Sequence, residues 1–460
     1  MSTSRTRFGF CLFVVLAFTM AAYSQNDPSA AAAVANSAAG YGDRAPVDAT
    51  QVPATSGIGS SIVLDANTGA VVSGAGGGGF NPRIAVGASR SNSPTLDGLT
   101  TTATFDNAFF AQAGPSSTGG KLWRYTMMGN SPLIGGTTHI PAQIDEVSLQ
   151  LLNADGTVFK NVPFAPFEDL FLESPNFSTK VTYGSGAHIQ YADAIHRAQF
   201  YNIMQPNWHT VLTPSVVNRT TITVPRFVNL QLKDGTIIQA RSYFTGTAAD
   251  GSTFVLMLSP LFNFFFDNEV VNQINAGNFT QDGIGMALFP NTYLFDLNTA
   301  NPNQPGGCCV LGFHTFFFDP PTVPQDRWVT LYASWISPGI FGGGFEDVTA
   351  LSHEISESFA DPFVDNATPS WQFPGVPANA RVCQANLEEG DPIEVLSSAT
   401  IPIAIKNGKA VFTYHPQNIP LVQWFEMGAT SNAIDGAFSY PDETLLPHSA
   451  LPCPPPPPAP

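Results

Sequence analysis

A chain of 460 residues with 18 Lys plus Arg against 35 Asp plus Glu carries a net charge of −17. So little basic surface is poorly suited to phosphate backbones or anionic membranes, which excludes nucleic acid as an expected partner. The 36 Phe, 40 Gly and 39 Pro describe apolar strands broken by many turns, in a chain long enough for two domains.

Residues 1–24 read as a signal peptide. Arg5 and Arg7 form a basic start, Phe8 to Ala22 is an apolar run, and Ala22-Tyr23-Ser24 offers a small-x-small cleavage site. The run is short for a membrane span, and no later stretch is apolar enough to cross a bilayer. The expectation is a secreted protein, extracellular or periplasmic, with no membrane span after signal removal. Residues 25–58 are rich in Ala, Ser, Gly and Pro without periodicity and read as a flexible leader.

Residues 59–215 read as a β-rich region. Val147 to Leu152, the turn Asn153-Ala-Asp-Gly156 and Thr157 to Phe159 predict a hairpin. Tyr191 to Met204 predicts a short helix, with Tyr191, Ala194, Ile195 and Ala198 on one face. His196 and His209, in or near it, read as ordinary polar-face or capping histidines.

Residues 216–442 look more regular. A strand–turn–strand unit is expected over 221–244 around Lys233-Asp-Gly235, followed by apolar strands at 285–289, 293–297, 313–318 and 328–335. The Gly-rich turn Gly342-Gly-Gly344 leads into a helix that Asp361-Pro362 should end, because proline disfavours helix in the residue before it. Residues 443–460 form a proline-rich tail, stiff and extended.

The helix before Pro362 carries the chemistry. His353, Glu354 and Glu357 make an H-E-x-x-E pattern. Residues four apart lie one above the other on a helix, so His353 and Glu357 could ligate one metal while Glu354 serves as general base. Val348, Leu351, Ile355 and Phe359 form an apolar stripe on roughly the opposite side. The bland alternative is a surface helix with its polar face in water. Such a face usually balances its carboxylates with Lys or Arg, and this helix has neither. Six of the 12 Glu in the chain also fall between positions 346 and 394, which concentrates acid near the motif.

Further ligands must come from elsewhere. Leu387-Glu-Glu-Gly-Asp391 offers Glu388 and Asp391, while His314, at the head of an apolar strand, and His415, before a proline, are the imidazole alternatives. One divalent metal is expected, zinc first, with calcium or manganese as alternatives if more oxygens join.

The order Gly312-Phe-His314, Tyr332-Ala-Ser-Trp335, Ser352-His-Glu-Ile-Ser-Glu357, Glu388-x-x-Asp391 and Leu421-Val-Gln-Trp424 resembles the plant Exordium (phosphate-induced) family. The fuller wording Asn386-Leu-Glu-Glu-Gly-Asp-Pro392 also resembles uncharacterised secreted bacterial proteins. The likeness covers about residues 308–425 and departs from the plant cysteine pattern, with Cys308-Cys309 in place of a fuller set. It implies a zincin-like domain, a twisted sheet packed on an active-site helix, with His353, Glu354, Glu357 and Glu388 or Asp391 as counterparts of the family motif. It implies no particular reaction. The fold expectation is thus α+β, a β-rich N-terminal region followed by a zincin-like metal-binding domain.

Two functions are carried forward. The first is a secreted zincin-like metallohydrolase acting on peptide or another extracellular polymer, a peptidase foremost, with Glu354 activating a metal-held water. The second is a non-catalytic extracellular or cell-surface protein with a structural metal or none. Four cysteines follow the signal: Cys308, Cys309, Cys383 and Cys453. Because neighbouring cysteines close only a small strained ring, Cys383 is expected to pair with Cys308 or Cys309, and Cys453 with the one left over.

Overall fold

The computed structural model describes residues 44–49, 62–73, 103–112, 119–183, 187–319, 326–342, 344–375, 383–394, 396, 399–407, 410–427, 446–449 and 452–453. The expected signal peptide, most of the expected leader and most of the proline tail lie outside them. Strands predominate over helices, consistent with the α+β class. Among the described residues no helix is long and apolar enough to cross a membrane.

The central sheet has seven strands: β1 (Val47–Asp48), β2 (Thr137–Leu152), β3 (Val158–Val162), β4 (His209–Val224), β5 (Ile284–Phe289), β6 (Gly312–Asp319) and β7 (Asp326–Ser334). Their order is β1-β6-β7-β5-β2-β4, with β3 also paired to β2. Pairing is parallel except for the antiparallel β6–β7 and β2–β3. All six residues of β5 are buried, as expected of a strand in a parallel sheet covered on both faces.

Three helices cover this sheet: α1 (Tyr191–Gln199), α2 (Ser259–Asn275) and α3 (Thr349–Ala360). Helix α3 packs on β6 and β7, α1 packs on α3 and β4, and α2 meets β5. Alternation along β6 sorts its side chains between the helices. Phe313 packs against Phe262 and Phe266 of α2. Its neighbour His314 faces the other way, toward Glu354 and Glu357 of α3.

The hairpin formed by β2 and β3 is present, as is the turn unit around Lys233-Asp-Gly235, built from Phe227–Gln231 and Ile237–Arg241. The strands expected near 285, 293, 313 and 328 all form. Three expectations are corrected. Residues 221–224 belong to the long strand β4, which runs through the expected boundary between 215 and 216, so one sheet draws strands from both sides of it. Within the expected leader, Val47 pairs with Phe317, and Arg44 is ion-paired to the half-buried Asp267 carboxylate on α2. That segment is held by the sheet. The helix from Tyr191 is also shorter than expected, stopping at Gln199.

The cysteines pair differently from expectation. Cys308 bonds Cys309, and Cys383 bonds Cys453 with Cα atoms 5.5 Å apart. The bridge from Cys383 to the strand before His314 does not form. The strand Cys383–Asn386 instead pairs with Ala367–Gln372, and Trp371 donates its indole N–H to the Asn386 carbonyl at 2.9 Å.

Candidate metal centre

Helix α3 is set by local signals at both ends. Before it, Asp347 sits at φ 47° and its Oδ1 accepts the Val348 N–H at 2.6 Å. After it, Asp361 leaves the helical region and Pro362 follows. All twelve residues of α3 are buried. The surface-helix alternative fails on this point. Two of its serines turn their hydroxyls back onto the helix: Ser352 donates to the Thr349 carbonyl at 2.9 Å and Ser356 to the Ser352 carbonyl at 3.0 Å. Satisfied in this way, they can be buried without stranded donors.

Four segments converge on the motif. Helix α3 brings His353, Glu354 and Glu357; β6 brings His314; the stretch 383–394 brings Glu388 and Asp391; and Gln417 arrives from a later loop. The six titratable residues are at most 4 % exposed. Glu357 stands at the centre, with Oε2 3.4 Å from His314 Nδ1 and Oε1 3.0 Å from His353 Nε2. His314 Nδ1 is also 3.8 Å from Glu354 Oε2 and 3.7 Å from Glu388 Oε2. His353 Nε2 is 3.4 Å from Asp391 Oδ1.

The proton on each imidazole is fixed by its outer neighbour. His314 Nε2 lies 3.1 Å from the Asp361 carbonyl, which can only accept, so Nε2 is the donor. Gln417 donates through Nε2 to the Gly390 carbonyl at 2.7 Å, which leaves its Oε1 as acceptor for His353 Nδ1 at 3.1 Å. In their neutral forms both rings therefore aim a lone pair at carboxylate oxygens. That arrangement is repulsive unless a proton or a cation lies between them. An imidazole whose far nitrogen is tied to a carbonyl or amide oxygen is the usual outer support of a metal ligand.

Distance separates the two fillings. Hydrogen bonds from nitrogen to oxygen span roughly 2.7–3.2 Å. Two ligands about 2.05 Å from one tetrahedral metal lie about 3.3 Å apart. One contact here, His353 to Glu357, falls in the hydrogen-bond range, whereas those at 3.4–3.8 Å lie beyond it. The donor set therefore fits a divalent cation. Without one, protons take its place. Burial opposes a charged His353, but Glu357 and Glu354 outweigh it and hold its pKa well above the usual imidazole range. Burial likewise favours neutral Glu357, yet His353 and His314 pull its pKa down to about 2.

Amides orient the carboxylates from outside. Asn386 donates to Glu388 Oε1 at 2.9 Å, Gln384 to Asp391 Oδ2 at 2.8 Å, and the Gly390 N–H to Glu357 Oε1 at 3.0 Å. Glu389 turns away and accepts from Gln199 of α1 at 2.9 Å. Two glycines leave room for the cluster. A Cβ on Gly390 would stand 2.2 Å from His353 Nδ1, and one on Gly312 would stand 2.5 Å from Glu354 Oε1.

Of the residues expected from sequence, His353, Glu354, Glu357, Glu388, Asp391 and His314 come together. His415 does not join them. Its Nδ1 lies 2.8 Å from Asp347 Oδ2, and its N–H donates to Asp347 Oδ1 at 2.8 Å, which braces the start of α3. His209 makes a similar brace, with Nδ1 2.7 Å from Asp193 Oδ2. His196 is corrected from a polar-face residue to a core one. It is 1 % exposed, packed among Phe105, Phe200, Trp208 and Phe359, and burial lowers its pKa to about 3. Gln417, the Asp361 carbonyl and the steric roles of Gly390 and Gly312 were not anticipated, because they depend on contacts distant in sequence. No protein-family model, curated protein or solved structure matches the chain.

Proposed function

We propose that this is a secreted, non-catalytic metal-binding protein whose metal is part of its folded interior, held by His353, Glu357 and Asp391 beside His314, Glu354 and Glu388. The observation that carries this reading is the pair of buried imidazoles, each with its proton turned outward and its lone pair turned onto carboxylates. Burial supports a structural role: His353 and Glu354 are both 0 % exposed, and a catalytic site must keep a position open to substrate. Zinc, or manganese given the many oxygens, suits such a donor set. When metal assembles a site that the unfolded chain lacks, its binding energy is folding energy, on the order of 10 kcal/mol for structural zinc. The test is metal analysis by mass spectrometry together with thermal unfolding before and after chelation. Less bound metal in His353→Ala than in the parent, with a large drop in melting temperature on chelation, is the expected result. Equal metal in both proteins and unchanged melting would end the reading.

The metallohydrolase reading rests on Glu354, the motif's base position, whose Oε2 is 3.8 Å from His314 Nδ1. It requires the interior to open to a peptide. A Glu354→Gln variant that cleaves a peptide library as well as the parent does, or a parent that cleaves nothing, rejects it.

A further inference from the structure

We infer that the centre takes two divalent cations bridged by Glu357, an inference that rests on the metal-binding reading above. The donors divide into two sets. His314, Glu354 and Glu357 form one and His353, Glu357 and Asp391 the other, each with ligand atoms within 4.8 Å of one another. Glu357 alone belongs to both, and it does so through different oxygens: Oε2 toward His314 and Oε1 toward His353. A carboxylate presenting one oxygen to each of two imidazole lone pairs has the geometry of a bridging ligand. Glu388 Oε2, 3.7 Å from His314 Nδ1, adds a further oxygen to the first set.

The two histidines provide evidence independent of the acidic cluster. Each ring is fixed by a separate acceptor, the Asp361 carbonyl for His314 and Gln417 Oε1 for His353, so each brings its own buried lone pair. Each candidate set contains one of the two rings and not the other. One ion in either set leaves the other lone pair still facing carboxylate oxygen.

Charge leads to the same number. The segments that supply the ligands, 312–319, 349–360 and 383–394, contain no lysine or arginine. Four carboxylates, Glu354, Glu357, Glu388 and Asp391, accompany two neutral imidazoles. One dication leaves two negative charges in an interior where uncompensated charge is heavily penalised, and two dications leave none. Two histidines with four carboxylates is also an inventory that suits a pair of first-row divalent ions such as manganese or zinc, about 3.5–4 Å apart when they share a bridge. Glu354 is then a ligand and is not available as a base.

The test uses the mature full-length protein, stripped with chelator and reloaded with Mn(II). Two equivalents per chain and an exchange-coupled electron paramagnetic resonance signal are expected. His314→Ala and His353→Ala should each keep one equivalent and show an isolated-ion signal. A parent protein that saturates at one equivalent overturns the inference while leaving the metal reading intact. A parent that binds none overturns both. Should either histidine variant fail to fold, as judged by circular dichroism, the stoichiometry and spectrum of the parent decide the question alone.

Discussion

Replacing Gly390 by alanine tests the packing of the centre with a single methyl group. Gly390 has φ −78° and ψ −34°, ordinary backbone for alanine, so any penalty is steric. The new Cβ would meet His353 Nδ1 at 2.2 Å, Cε1 at 2.4 Å and Cγ at 2.7 Å. Reaching an ordinary contact near 3.4 Å from 2.2 Å requires the ring or the loop to shift by about 1.2 Å. The ring has little freedom, since Nδ1 is bound to Gln417, whose own N–H donates to Ser352 Oγ at 2.7 Å. Overpacking of this kind costs about 1–3 kcal/mol. Loss of the His353–Gln417 bond adds about 1 kcal/mol. The expected destabilisation of the metal-free protein is therefore about 2–4 kcal/mol. Metal affinity should fall by about 10–100-fold, the usual cost of disturbing a ligand's outer support. Urea unfolding of the stripped protein measures the first quantity and competition with a chromophoric chelator the second. A Gly390→Ala protein with parental affinity and unfolding free energy would refute the geometric argument. Gly312→Ala provides a graded comparison, because its Cβ meets the unbranched chain of Glu354 at 2.5–3.0 Å instead of a rigid ring and should be milder.

Further outcomes follow from burial and linkage. His196 keeps a folded pKa of about 3 against 6.5 in the unfolded chain, so the unfolded state takes up a proton that the folded state refuses. Stability should be unaffected above pH 6.5 and fall progressively toward pH 3, and His196→Phe should flatten that acid slope in denaturant titrations. Glu357 acts over a lower range: burial would raise its pKa, but the two histidines hold it at about 2 in the metal-free protein. Its contribution is therefore present above pH 4.5 and lost as pH falls toward 2, and Glu357→Gln should remove that loss when the parent and variant curves are compared. The Cys383–Cys453 bridge spans 70 residues, which corresponds to about 4 kcal/mol in the chain-entropy view. Cys453→Ser should lose a comparable amount in equilibrium unfolding, and parental stability in that variant would refute the estimate.

Local features of this chain were legible in its sequence, and long-range features were not. The spacing of Leu351, Ile355 and Phe359 with the break at Pro362 predicted α3, and the apolar run through Phe313–Phe318 predicted β6. The helical wheel set His353 and Glu357 opposite the apolar stripe, but it cannot see that β6 and residues 383–394 cover that side as well. His314 and His415 both stood as imidazole alternatives, with His415 also readable as a loop residue before proline. The alternation of β6 against α2 and α3 chose the first, and a hydrogen bond to Asp347 held the second aside. The parallel register of β2 with β4, and the partner of Cys383, depend on residues far along the chain that local periodicity does not connect.

The link from Cys383 to Cys453 closes a loop that begins just before two of the proposed ligands, Glu388 and Asp391. An open chain must spend conformational freedom to bring Gln417, inside that loop, back to the Gly390 carbonyl and the His353 ring, and a chain already closed at Cys383 spends less. Metal and bridge therefore favour each other through a single shared entropy, although no bond joins them. Such coupling is reciprocal by thermodynamic necessity. Reducing the bridge should weaken metal binding by some factor, and loading the metal should make the bridge harder to reduce by that same factor. The centre would then be most secure where oxidising conditions and metal occur together, and stripping either one would loosen the hold of the other.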